Sequence, residues 1–151
     1  MITSPFLSLL ADFAEAAGLP PPSTDEQGFI VLQADSMAVF LRSSADTLEM
    51  EFFGEIGRLA ETPPQELLEE LLQANLAWQG THGATLGLDR KTRMLMICAR
   101  RPLQGMTLQS FQQTLEDFLQ TMTHWVQKIN INQKERSATA SHGEMDTRWR
   151  V

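Results

Sequence analysis

The chain has 151 residues, 42% of them hydrophobic, and a formal net charge of −7, which fits one folded domain with or without a tail and excludes global disorder. Residues 1–131 hold 16 acids and 8 bases, 8 − 16 = −8, so the folded part is acidic and poorly suited to neutralising nucleic-acid phosphate or adsorbing to anionic lipid. A single cysteine, Cys98, rules out an internal disulfide and gives no mark of an oxidising compartment.

The N-terminal stretch MITSPFLSLLADFAEAAG lacks a basic leader and carries Asp12 and Glu15 within its apolar pattern, so it does not read as a signal peptide. No run long and apolar enough to span a membrane is present, and the expected location is the cytoplasm. Ser4 and Pro5 open a helix as N-cap and first helical residue. Phe6, Leu9, Leu10, Phe13 and Ala17 recur at helical spacing, and Gly18 with the Pro20–Pro22 run stops it.

Three strands are expected next, over residues 28–34, 37–42 and 47–53. The third alternates, with Leu48, Met50 and Phe52 on one face and Glu49 and Glu51 on the other. Short connections, Asp35-Ser36 and residues 43–46, imply an antiparallel meander. Residues 54–60, with Gly54 and Gly57, read as a loop or ragged strand end. Thr62, Pro63 and Gln65 have capping-box spacing for a second helix. It carries Leu67, Leu68, Leu71, Leu72, Asn75 and Leu76 at helical spacing and ends near Trp78. A strand over 81–88, a polar turn at 89–92 and a strand over 93–99, ended by Arg100-Arg101-Pro102, read as a hairpin. Within the first of these strands Gly83 and Gly87 lie four apart and would share a face, where missing side chains admit another backbone or helix. From Thr107 a long helical pattern runs through Leu108, Phe111, Leu115, Phe118, Met122, Trp125 and Ile129. Residues 132–151 lack periodicity and read as a flexible polar tail, so the expected division is a domain over 1–131 and a tail over 132–151.

The order α-β-β-β-α-β-β-α gives an α+β class with a mostly antiparallel five-stranded sheet and three helices. Chemistry is not signalled. His82, His124 and His142 lack ligand spacing, so no metal or other cofactor is expected. Cys98 alternates with Met94 and Met96 and reads as core. No nucleophile elbow, Walker or dinucleotide pattern occurs, so the chain does not read as an enzyme. The first two strands instead carry large apolar residues on both faces, more than two helices can cover, which leaves apolar surface available to a partner.

The segment LLQANLAWQGTHGATLGLDRKTRMLMICARRPL, followed by LQSFQQTLEDFLQTMTHW, resembles the class I chaperones of type III secretion, the Tir-chaperone family. The matching residues are Leu71, Leu72, Asn75, Leu76, Gly83, Leu86, Gly87, Leu88, Asp89, Leu103, Phe111, Leu115, Glu116, Phe118 and Trp125. The resemblance is specific over residues 67–125; the Pro20–Pro22 run and the tail depart from it. It implies a homodimer that binds the N-terminal chaperone-binding region of a secreted effector and keeps it soluble and secretion-competent without ATP. It admits a secretion ATPase or a regulator as a further partner, and the alternative function is an adaptor of the same fold that sequesters a regulator of the secretion system. The expected dimer residues are Leu71, Leu72, Asn75, Leu76, Trp78, Ala84, Leu86 and Gly87. The expected effector-binding residues are Phe6, Leu10, Phe29, Val31, Val39, Phe40 and Met50.

Overall fold

The computed structural model describes residues 4–44, 46 and 48–140, and over 134–140 it describes the backbone alone. Its element order is α1 (Pro5–Ala17), β1 (Ile30–Ala34), β2 (Met37–Ser43), β3 (Glu49–Arg58), α2 (Gln65–Asn75), a 3₁₀ turn (Leu76–Trp78), β4 (Thr85–Asp89), β5 (Met94–Pro102) and α3 (Leu108–Ala140). The strands form one five-stranded antiparallel sheet in the order β1-β2-β3-β5-β4, and with three helices the class is α+β. The described chain divides into two compact units, Met1–Gly54 with Cys98–Gln120 and Glu55–Ile97 with Thr121–Val151; β3, β5 and α3 each contribute residues to both.

In the first unit Gly18 ends α1 in the left-handed conformation (φ 68°), and the Leu19 N–H bonds back to the Ala14 carbonyl at 2.8 Å. Ser4 makes no side-chain cap, so Pro5 at the first turn carries the helix start. β1 begins later than expected, because the Asp25 carboxylate accepts the backbone N–H groups of Gln27 and Phe29 (2.9 and 2.8 Å) and holds that stretch as a turn. Asp35, at φ 56°, makes the tight connection that pairs Ala34 with Met37. The core is built on Phe52, whose ring lies 6.3 Å from Phe111 and 5.5 Å from Phe118, with Phe13 edge-on to Phe111 at 5.3 Å. Leu10, Ile30, Val39, Leu41 and Met50 are buried with it. Leu48 does not join Met50 and Phe52: it sits in the left-handed region (φ 52°) before the strand and is exposed.

In the second unit β3 runs straight through the stretch expected as a loop, to Arg58. Ile56 packs into the core, and a Cβ on Gly57 (φ 149°) would lie 2.8 Å from the Ile129 side chain, so the glycine marks the close passage of α3 rather than a break. α2 starts at Gln65 rather than near Thr62; Pro64 is the extended N-cap (φ −60°, ψ 134°), and Pro63, preceding a proline, is itself disfavoured as helix. The six residues read as one helical stripe split in two. Leu67 and Leu71 are buried, as is Ala74 beside them, Asn75 turns to β4, and Leu68, Leu72 and Leu76 face out.

β4 begins at Thr85, not 81. Residues 81–84 form a turn in which the Thr81 hydroxyl donates to the Ala84 carbonyl at 2.6 Å and His82 and Gly83 take positive φ. Gly83 therefore belongs to that turn and shares no strand face with Gly87. β5 extends through Arg100 and Arg101 to Pro102, past its expected end. Trp125 of α3 is buried and its indole N–H donates to the Gly80 carbonyl at 3.0 Å. A Cβ on Gly80 would meet the Ala74 Cα at 2.8 Å, so glycine is required for that turn to close against α2.

α3 opens with a reciprocal cap: Ser110 N–H to the Thr107 hydroxyl at 3.1 Å and Thr107 N–H to the Ser110 hydroxyl at 2.8 Å. It continues to Ala140, into the stretch expected as tail. Residues 132–140 contain neither Gly nor Pro and are rich in Gln, Lys, Glu, Arg and Ala, so nothing stops the helix once α3 has nucleated it. Residues 141–151, with Trp149, lie outside the described residues.

Candidate functional site

Two surfaces are built for contact, one in each unit. The first is the sheet face of β1, β2, β3 and β5 that looks away from Phe52. The unit's helical segments lie on the Phe52 side, as the Phe13–Phe111–Phe52 cluster requires. Alternation then sends Val31, Phe40, Arg42, Glu51 and Phe53 to the opposite face. Strand pairing sets Val31 beside Phe40 and Phe40 beside Phe53, and sets Arg42 beside Glu51. The backbone bond from Leu103 N–H to the Leu48 carbonyl (3.0 Å) joins the chain beyond β5 to the start of β3, Arg100 reaches Glu51, and alternation puts Cys98 on the same side of β5 as Arg100.

An apolar rung, Val31–Phe40–Phe53–Cys98, thus lies beside a charged one. Phe29 joins both: its ring is edge-on to Phe40 and Phe53 at 6.4 and 5.7 Å, and the Arg42 guanidinium lies 4.8 Å from its centre and 5.4 Å from that of Phe53. Arg42 donates Nε and Nη2 to Glu51 Oε2 at 2.8 and 2.6 Å, and Arg100 Nε stands 3.6 Å from Glu51 Oε1. Glu51 is a buried carboxylate, and these two cations are its compensation.

Cys98 is half-buried on this face rather than in the core. Burial, and then the Glu51 charge, push its thiol above the usual range, which keeps it protonated and a weak nucleophile.

The second surface is a ridge of α2 and the following turn. Leu72, Leu76 and Trp78 are 72%, 73% and 57% exposed, Leu68 of the same helix is exposed, and so is Leu88 of β4. Ala77 and Trp78 sit at positive φ (52° and 55°), a strained turn that sets the indole outward. Asn75 points inward instead. Its side chain accepts the Leu86 N–H (2.8 Å) and donates to the Leu86 carbonyl (2.9 Å), so it completes the outer edge of β4 as another strand would. Gly87, next along, has no steric need to be glycine within the chain: an added Cβ would meet nothing within 4 Å.

The residues expected from sequence divide accordingly. Of the effector set, Phe29, Val31 and Phe40 are on the open face, whereas Phe6, Leu10, Val39 and Met50 are core residues, buried because their strand or helix faces turn toward the Phe52 cluster. Of the dimer set, Leu72, Leu76, Trp78 and Gly87 are exposed, whereas Leu71, Ala84 and Leu86 are buried within the unit and Asn75 is occupied by β4. Sequence reading did not assign Phe53, Arg42 and Arg100 to the first surface or Leu68 to the second. The parity of Phe53 with Glu49 and Glu51, and of Arg42 with Phe40, was the available signal.

Among the described residues no group of three or more His, Cys, Asp or Glu side chains could hold a metal ion. Among the described residues no helix is long and apolar enough to cross a membrane. His82 Nδ1 lies 3.3 Å from the Thr121 hydroxyl, and His124 is exposed and edge-on to Trp125. What the two surfaces can do is bind.

The chain resembles the ExsC–ExsE complex (27% identity, TM-score 0.71, covering 83% of this chain and 94% of that one). It shares its fold with the HopA1–SchA chaperone–effector complex (21%, 0.68, 82% and 94%) and with the Yersinia pestis type III secretion chaperone SycH bound to a fragment of YscM2 (21%, 0.63, 80% and 98%). Comparison with curated proteins returns no match. The model of the Tir chaperone protein (CesT) family matches residues 8–126, most of both units, and the chain belongs to that family.

Proposed function

We infer that this chain is a type III secretion chaperone: it binds the N-terminal segment of a secreted effector and keeps it soluble and non-globular, by binding alone. The observation that carries this is the open sheet face, where Val31 is exposed and Phe29, Phe40 and Phe53 are only half-buried. An unfolded client segment pays an ordering cost when it binds, and a row of apolar side chains is what offsets it. The working compartment is the cytoplasm, where the client is still unfolded and accessible. Family membership supports a non-enzymatic role.

The second surface supports a homodimer. The α2 ridge offers Leu72, Leu76 and Trp78 to a second copy, and Gly87 leaves room for close approach beside β4. Because Asn75 already satisfies the edge of β4 at Leu86, the partner would pack on side chains instead of extending the sheet there. Gly87→Val is the specific probe. Within one subunit it meets no atom and places a β-branched residue in a strand, so folding should be unaffected. Dimer dissociation, read by analytical ultracentrifugation, should strengthen about tenfold or more. An unchanged dimer removes Gly87 from the interface.

The functional test is co-purification from cells that express the secretion system. Wild type should carry an effector's N-terminal region. Phe40→Asp, a half-buried residue of the open face, should lose at least about 90% of the captured client while the subunit still melts cooperatively. Retention of client by Phe40→Asp would refute the assignment of this face, and capture of a regulator of the secretion system in place of an effector would convert the chaperone into the adaptor.

A further inference from the structure

Four of the eight Lys and Arg residues of 1–131 stand together at one end of the sheet. We propose that this end, with Arg58 closing β3 and Arg90, Lys91 and Arg93 in the β4–β5 turn, is a docking site for a short acidic segment of a partner protein. It uses no residue of the open sheet face or of the α2 ridge, so it stands apart from the client and dimer assignments.

All four cations belong to the second unit, and backbone bonds bring them together. The Arg93 N–H donates to the Asp89 carbonyl at 2.8 Å and closes the turn that carries Arg90 and Lys91. The Arg93 carbonyl accepts the Leu59 N–H at 2.8 Å, which sets that turn against the residue after Arg58. The Arg93 guanidinium crosses the junction and donates Nη2 to the Ala60 carbonyl at 2.7 Å. Arg58, Arg90 and Lys91 are exposed, and Arg93 is half-buried.

These cations differ from the others in lacking acids. Arg42 and Arg100 meet Glu51, and Lys128 lies 3.1 Å from Glu70. Among the described residues Arg58, Arg90, Lys91 and Arg93 make no ion pair. Asp89, the acid within the turn, is used by the turn itself: it accepts the Lys91 N–H at 3.0 Å, and this bond, then one with the Thr92 hydroxyl, holds its carboxyl below the usual range. Like charges gathered without counter-charge work against the isolated fold. Arg93 adds two costs of its own. Its φ of 63° is uncommon for a long side chain, and its Nε is buried with no hydrogen-bond partner. An incoming carboxylate would compensate this desolvated guanidinium as Glu51 compensates Arg42.

The rest of the molecule selects the kind of anion. With four positive charges here and −7 in total, the remainder carries −7 − 4 = −11. A long polyanion would run from this end onto repelling surface, whereas a short acidic segment stays on it. Residues 58–60 and 89–93 include no aromatic ring on which a base could stack, so a protein segment fits better than nucleic acid.

The experiment uses full-length protein and fluorescein-labelled probes read by anisotropy: a peptide rich in Glu and Asp, the same peptide with Gln and Asn in their place, and a single-stranded oligonucleotide of equal charge. Exposed ion pairs are weak singly, and several together should make the acidic peptide bind about tenfold or more tighter than the amide peptide in low salt, a preference that falls as salt rises. Arg90→Gln with Lys91→Gln should weaken binding of the acidic peptide about fivefold or more. Gln104→Glu with Gln109→Glu, exposed residues of the other unit, brings the same net charge and should change it less than about twofold. Equal affinity for the two peptides, no binding of either, an unaffected Arg90→Gln/Lys91→Gln variant, an equal loss in the charge-matched control, or tighter binding of the oligonucleotide would each overturn the proposal. Client co-purification by the Arg90→Gln/Lys91→Gln variant should match wild type; loss of client would make this end part of the client site instead of a separate one.

Discussion

Leu72→Asp combined with Leu76→Asp should turn the proposed homodimer into a monomer at micromolar concentration. Both side chains are more than two-thirds exposed in the single subunit, at 72% and 73%, so their replacement costs the isolated fold within about 0.5 kcal/mol. In a dimer seated on the α2 ridge each would be an anchor, and burying a leucine is worth about 1.5–3 kcal/mol. Putting a carboxylate there loses that term and adds the cost of desolvating a charge without a partner. A combined loss of about 4 kcal/mol or more raises the dissociation constant roughly a thousandfold. Light scattering coupled to size exclusion reads the mass directly, and circular dichroism checks that the monomer keeps its helices. A variant that stays dimeric with wild-type affinity would move the interface off this helix.

The same helix shows where sequence reading reached its limit. The leucines of α2 recur at helical spacing, and the helix exists where the pattern puts it. With leucines at 67, 68, 71, 72 and 76, though, the apolar arc is wide enough for two faces, and which face meets the core is decided by the turn at Gly80, by β4 and by Trp125, which lies far along the chain. Leu67 and Leu71 went inward and Leu68, Leu72 and Leu76 outward. Asn75 read as part of the stripe because spacing says nothing of a side chain that bonds a strand edge. β3 was cut short for the opposite reason. Gly54 and Gly57 weaken a strand by propensity, and the close passage of Ile129, which leaves no room for a side chain at 57, is not visible in local sequence. Element order survives such errors because it depends on local period. Facing does not, because it depends on what the rest of the chain brings up against each side.

The sharpest case is the doublet Phe52-Phe53, where neighbouring residues of one type should give opposite phenotypes. Phe52 is fully buried and touches the rings of both Phe111 and Phe118. Phe52→Ala leaves a cavity that the aromatic cluster cannot close, and the expected loss is about 3–5 kcal/mol. For a chain of this length that lowers the melting temperature by roughly 6–20 °C. Phe53 lies one residue on and on the other face, against Phe29 and Arg42. Phe53→Ala removes one aromatic pair and one cation–π contact, about 1–2 kcal/mol, and should leave a cooperative melt. Its effect belongs to binding: it breaks the apolar rung between Phe40 and Cys98 and should weaken client capture about tenfold, while Phe52→Ala should weaken capture only in proportion to the fraction unfolded. Scanning calorimetry and client pull-down on the two variants, side by side, separate the faces. Were Phe53→Ala to melt as early as Phe52→Ala, or to capture client as wild type does, the sheet would not have one face for folding and one for the client.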